Sequence, residues 1–208
     1  MPYRSGLRER KKHETRAALA SAALSIAQTE GLRAATPERI AEDAGVSART
    51  FHNYFANRDA AVIHDYVEGA EHFIDIFQHR QEREPVWTAL CEAFIQVVED
   101  RGVTDDQMRR KEQLIRSYPE LLSSLAAQYD SLRDRLSAAI ADATGFDSRS
   151  AETTLVAGSA IVAFRAGQER WYAQPESRLP DQVRRSFAML EHGLIASVGD
   201  TATVSESD

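Results

Sequence analysis

Apolar residues recur at intervals of three and four along nearly the whole of this chain, and strand-like alternation is absent. That spacing matches the roughly 3.6 residues of an α-helical turn, so each segment can bury one stripe and leave its other face to water. The chain therefore reads as all-α, with about nine helices. In the first, predicted over residues 9 to 30, Leu19, Ala22, Ala23, Ile26 and Ala27 form a single stripe and Gly31 supplies the stop. Thr36-Pro37-Glu38 then offers a capping hydroxyl, a proline suited to a first helical position and an acidic group at the positive helix end. The second helix starts at Pro37 and turns Ile40, Ala41 and Ala44 inward, and a short third runs from Ala48 to about Phe55. A fourth is expected from Asn57 through Phe77, followed by helices near 85 to 100, 104 to 117, 119 to 143, 148 to 173 and 180 to 198.

Composition narrows the class. With 43% hydrophobic and 27% charged residues the chain is an ordinary globular one, and no apolar run approaches the roughly 20 residues of a membrane helix. The basic, polar segment Met1 to Lys12 has no apolar stretch behind it, so the expected location is the cytoplasm, with no membrane partner. Cys91 is the only cysteine, which excludes an intrachain disulfide and a multi-cysteine metal cage and suggests a small buried hydrophobe. The formal charge of -7 is unevenly spread. Residues 1–60 carry 10 Lys/Arg against 7 Asp/Glu, net +3, whereas residues 61–208 carry 15 against 25, net -10. Arg4, Arg8, Arg10, Lys11, Lys12 and Arg16 form either a positive surface that eases approach to a polyanion or an ordinary solvated helix start.

Two short helices joined by a tight glycine-containing turn make a helix-turn-helix, whose second helix fits a DNA major groove about 12 Å wide. In the segment from Ile40 to Asp59, Ala41 and Ala44 permit close crossing, Gly45 can take the left-handed conformation, and Ser47 can cap the helix that follows. Phe51 and Phe55, spaced i and i+4, anchor that helix to the core. The opposite face then shows Ser47, Ala48, Arg49, Thr50, His52 and Asn53, a mixture of donors, acceptors and one small apolar group suited to base edges and phosphates.

These residues resemble the TetR family of repressors. The shared pattern is a threonine-led helix (Thr36), Ile40-Ala41 and Ala44-Gly45-Val46-Ser47 at the turn, Tyr54-Phe55 ending an aromatic-rich helix, and Asn57-Arg58-Asp59 starting the next. The matching stretch runs from about Leu7 to Val62. Arg49 and Phe51 stand where the family commonly has glycine and leucine, and His52 precedes Asn53. The resemblance implies that Thr36, Tyr54 and Arg58 hold phosphates, while Ser47, Ala48, Arg49, Thr50, His52 and Asn53 approach bases or nearby backbone. For Tyr54 the competing reading is core packing with an exposed hydroxyl, and for His52 a solvent-facing bystander. Arg4 to Lys12 would form an arm on the DNA or make no defined contact.

The organisation expected from this resemblance is a three-helix DNA-binding domain at residues 1–56, a helical ligand-binding and dimerisation domain at 57–198, and a disordered tail at 199–208. A single recognition helix covers few base pairs, so a homodimer on a palindromic double-stranded operator follows. Leu155, Ile161, Val162, Phe187, Leu190 and Leu194 on the last two helices are candidates for the dimer interface, or else for intrachain core. The segment from Phe164 to Tyr172, with the later helix, resembles an actinobacterial-type sensor domain. Phe73, Phe77, Trp87, Leu90, Phe94, Val97, Leu114, Leu122, Leu125, Leu136 and Phe164 suffice to enclose a hydrophobic or amphiphilic effector, and core packing explains them equally well. Arg116 and Arg165 are candidate anchors for an acidic head group, with surface ion pairing as the alternative.

An enzyme reading fares poorly, because no phosphate loop, G-x-S-x-G elbow or HExxH element is present, and no cofactor is implied. His64, Glu68 and His72 align at i, i+4 and i+8, a spacing open to metal, but a solvated helix face accounts for them and no metal site is expected. A helical scaffold that binds only protein is the other alternative; it predicts no salt-dependent affinity for DNA.

Overall fold

The computed structural model describes the backbone of residues 3–193 and the side chains of residues 8–193; Leu194 and the tail expected at 199–208 lie outside them. The described residues form ten α-helices: α1 (Tyr3–Glu30), α2 (Pro37–Asp43), α3 (Ala48–Tyr54), α4 (Arg58–Val62), α5 (His64–Arg80), α6 (Val86–Asp100), α7 (Asp105–Ser117), α8 (Pro119–Thr144), α9 (Ala151–Ala173) and α10 (Leu179–Glu191). A 3-10 turn, Leu32–Ala34, links α1 to α2. The count exceeds the expected nine because the fourth helix is two. At Ile63 the backbone opens to φ -95° and ψ 9°, its N–H closes α4 on the Asp59 carbonyl, and α5 restarts at His64.

Local chemistry explains most boundaries. The Thr36 hydroxyl accepts from the Arg39 N–H at 3.3 Å, Ser47 from Thr50 at 3.1 Å, Asn57 from Ala60 at 2.8 Å and Ser150 from Thr153 at 3.2 Å, each satisfying an orphan donor of a first helical turn. Two ends differ from expectation. α1 begins at Tyr3, so the basic N-terminal segment continues the helix. α10 ends at Glu191 rather than 198, where His192 donates its backbone N–H to the Ala188 carbonyl and leaves helical geometry.

By packing, the chain falls into two compact units. Among the described residues, one compact unit holds 3–69 together with Asp106–Gln128; the other holds Ala70–Asp105 and 129–193. In the first, α1 packs on α2 and α4, and α2 on α3. Its buried centre includes Leu19, Ala23, Leu32, Ile40, Phe51 and Ile63, joined by Ile115 of α7 and Leu121 of α8. In the second, α9 and α10 pack against each other and both against α6. Phe94 is central there, stacked on Phe73 at 4.0 Å and on Phe164 at 4.4 Å between ring centroids. Burial of these aliphatic and aromatic side chains supplies the main stabilisation of both units.

Candidate nucleic-acid interface

The turn between α2 and α3 is built from its backbone outward. Gly45 sits at φ +67°, a conformation that costs other residues a Cβ clash, and this allows Val46 N–H to reach back to the Ala41 carbonyl at 2.9 Å. Ser47 then caps α3, and its hydroxyl also pairs with that of Thr50 at 2.8 Å. Beneath α3, Phe51 and Phe55 are 0% and 6% exposed with ring centroids 5.8 Å apart. Above it, Ser47, Arg49, His52 and Asn53 are exposed, while Ala48, Thr50 and Tyr54 are half-buried. The result is a short helix clamped along one side, with a donor- and acceptor-rich ridge along the other.

The flanking residues have mixed assignments. Thr36 is half-buried with its hydroxyl already accepting from Arg39, though a hydroxyl retains a donor for a phosphate. Arg58 is half-buried beside Asp59, its Nε 3.3 Å from that carboxylate. Arg16, counted among the residues of the positive N-terminal surface, is engaged within the unit. Its guanidinium donates to the Tyr54 carbonyl at 3.2 Å and lies 5.6 Å from the Phe55 ring centroid, which fixes the end of α3. Arg8, Arg10, Lys11 and Lys12 are exposed. Arg39 donates to both oxygens of Glu30 at 2.6 and 2.9 Å and holds that carboxyl below its usual range. Its acidic partner nine residues earlier was visible in the sequence, but nothing local showed that the chain reverses between them.

Other expectations are redistributed by burial. Ile161 and Phe187 are core residues, with Phe187 against Trp87 at 4.8 Å, so they do not present a surface to a partner. Leu155 and Val162, at 66% and 61% exposed, do; Leu190 is half-buried. Phe73, Phe77 and Phe94 are buried, and Trp87 and Phe164 are half-buried. Leu122 is exposed, which removes it from any apolar lining. Arg116 is exposed in the first unit and donates to Glu112 at 2.9 Å; Arg165 is exposed in the second, 5.2 Å from the Tyr129 ring centroid. His64 is buried with its Nε2 3.2 Å from Glu68, not on a solvated face, while the exposed His72 pairs with Asp100 at 3.0 Å. Burial pushes the Cys91 thiol up to about 12, leaving it unreactive near neutrality.

Lys111 carries no motif that marks it in the sequence. It is buried on α7, paired with Asp65, and its ammonium lies 4.5 Å from the Tyr66 ring centroid. Burial pushes it down to about 7, against the opposing pull of Glu112. The only available signal was its apolar register with Leu114 and Ile115.

Residues 19–62 match the family model described as bacterial regulatory proteins, tetR family, and residues 84–195 match the one described as MftR C-terminal domain. The HTH-type transcriptional regulator TcmR of Streptomyces glaucescens is 29% identical over 152 residues, covering 70% of this chain and 67% of that protein. Among solved structures, the fatty acid degradation regulator FadR from Bacillus halodurans aligns with a TM-score of 0.56 at 18% identity, over 86% of this chain and 96% of that one. That likeness concerns the fold.

Proposed function

The chain belongs to the TetR family of transcriptional regulators, and on that premise we propose that it is a repressor that binds a palindromic operator as a homodimer and leaves it when a hydrophobic or amphiphilic small molecule binds. The observation that carries the reading is the two-sided character of α3: Phe51 and Phe55 buried, Arg49, His52 and Asn53 exposed. A helix held this way can enter a major groove without rearranging, so little ordering cost opposes the contact. Ser47, Ala48, Arg49, Thr50, His52 and Asn53 meet bases or adjacent backbone, while Thr36, Tyr54 and Arg58 position the helix through phosphates.

Dimerisation uses α9 and α10. Exposed Leu155 and Val162 stand one heptad apart on α9, with Gly158 and Ser159 between them permitting close approach, and Met189 adds exposed apolar surface on α10. The effector binds among the aromatic side chains of the second unit, which include Phe73, Phe77, Trp87, Phe94 and Phe164, with Arg165 available to an acidic group. Its binding favours an arrangement in which the two recognition helices no longer span both half-sites. The working compartment is the cytoplasm, where the operator is.

Selection of bound fragments from a genomic DNA pool tests the proposal. The expected result is an enriched motif with two-fold symmetry whose affinity falls steeply as salt rises. Enrichment of nothing, or of asymmetric sites bound by a monomer in light scattering, would falsify it.

A further inference from the structure

Residues 106–128 pack in the same compact unit as the helix-turn-helix, and they grip it at two polar points. At the turn between α7 and α8, the Tyr118 hydroxyl accepts a hydrogen bond from the Leu32 N–H at 3.3 Å, across 86 residues of sequence. Leu32 is fully buried and opens the 3-10 turn that leads to Thr36 and α2. The fit is close: Gly31 stands at φ +89°, and a Cβ there would lie 3.2 Å from the same hydroxyl. The second point is Lys111, paired with Asp65 and set over the Tyr66 ring, both in the first turn of α5 just beyond α4.

One grip therefore holds the backbone approaching α2 and the other the backbone leaving α4. We infer that Tyr118 and Lys111 are positioning residues for the DNA-reading helices, setting the angle at which α3 is presented. An apolar pair in either place would pack at least as well, but it would not select one arrangement as these two directional hydrogen bonds can. Displacing this corner shifts α2 and α3 while leaving their exposed side chains intact. The inference rests on the reading of α3 as the element that contacts DNA.

The test uses the full chain and the fragment recovered by DNA selection. Tyr118→Phe keeps the ring and removes the acceptor. The expected result is operator affinity weakened about five-fold or more, with the thermal midpoint within about 2 °C of the parent and binding to unrelated DNA of the same length unchanged. Hydrogen exchange should show loss of protection at the Leu32 amide. Lys111→Met carries the same affinity comparison at the second point, with a midpoint no lower than the parent's because the cost of burying the amine is removed, and covers the case in which Tyr118→Phe does not fold. Parental operator isotherms in both variants would overturn the inference. So would parallel loss of operator and non-specific binding with a lowered midpoint, which marks a purely structural role. Recovery of no DNA in the selection takes down the DNA-binding proposal and this inference with it, whereas a recovered operator bound equally by all forms overturns this inference alone.

Discussion

On the proposed reading of α3, Arg49 is the residue whose chemistry most directly bears on operator choice. Its guanidinium is exposed on α3 in a position where it can face a base edge, and a bidentate contact to guanine discriminates by about 1 to 3 kcal/mol. Arg49→Ala should reduce the ratio of operator to non-specific affinity by that amount, whereas Tyr54→Ala should weaken both together; competition titrations with operator and scrambled fragments distinguish them. Lys111 offers a prediction of a different kind. Burial lowers it from 10.5 to about 7, so between pH 7 and 9 the unfolded chain holds a proton that the folded chain has released. Its contribution to stability accordingly rises with pH across that window, and the penalty of the buried charge is fully present below it. Urea unfolding at pH 7, 8 and 9 should show this rise in the parent and a flatter profile in Lys111→Met. Equal slopes in both would mean that the ammonium remains charged throughout. The sequence could propose Arg49 because its neighbours Phe51 and Phe55 declare which side of α3 faces inward. It could not single out Lys111, whose partner Asp65 lies 46 residues away.

At the level of elements, α9 and α10 meet at a glycine. A Cβ on Gly167 would stand 2.9 Å from the Val183 Cα, too close for backbone that cannot swing aside. Over-packing of this kind costs about 1 to 3 kcal/mol, offset by up to about 1 kcal/mol of improved helix propensity. Gly167→Ala should lose stability on balance, seen as a lower urea midpoint. A midpoint at or above the parent value would show that the two helices have room to separate. Helix starts were legible because the caps act within three residues: Thr36, Ser47 and Asn57 each receive the expected N–H. The break at Ile63 was not. No glycine or proline marks it, and the apolar stripe runs through it without a gap.

For the whole molecule, the outcome to watch is the oligomeric state. Leu155 and Val162 are largely exposed within the chain, so the double variant Leu155→Glu, Val162→Glu should keep the helical content and unfolding midpoint of an isolated subunit. On the proposed dimeric reading it should run as a monomer in light scattering and lose high-affinity operator binding, because a palindrome needs both recognition helices. A dimer of parental strength would place the interface elsewhere. Phe187→Ala serves as the contrast, since its ring is buried against Trp87 and its removal should cost about 3 to 5 kcal/mol of subunit stability. Periodicity and capping chemistry, which act over a few residues, were enough to specify an all-helical chain, the turn at Gly45 and the two faces of α3. Only tertiary packing decided that Ile161 and Phe187 turn inward while Leu155 and Val162 turn out, that Arg16 is spent on the end of α3, and that α7 joins the helix-turn-helix. Those outcomes depend on contacts between segments distant in sequence, and a helical stripe records that a residue seeks burial without recording which neighbour will bury it.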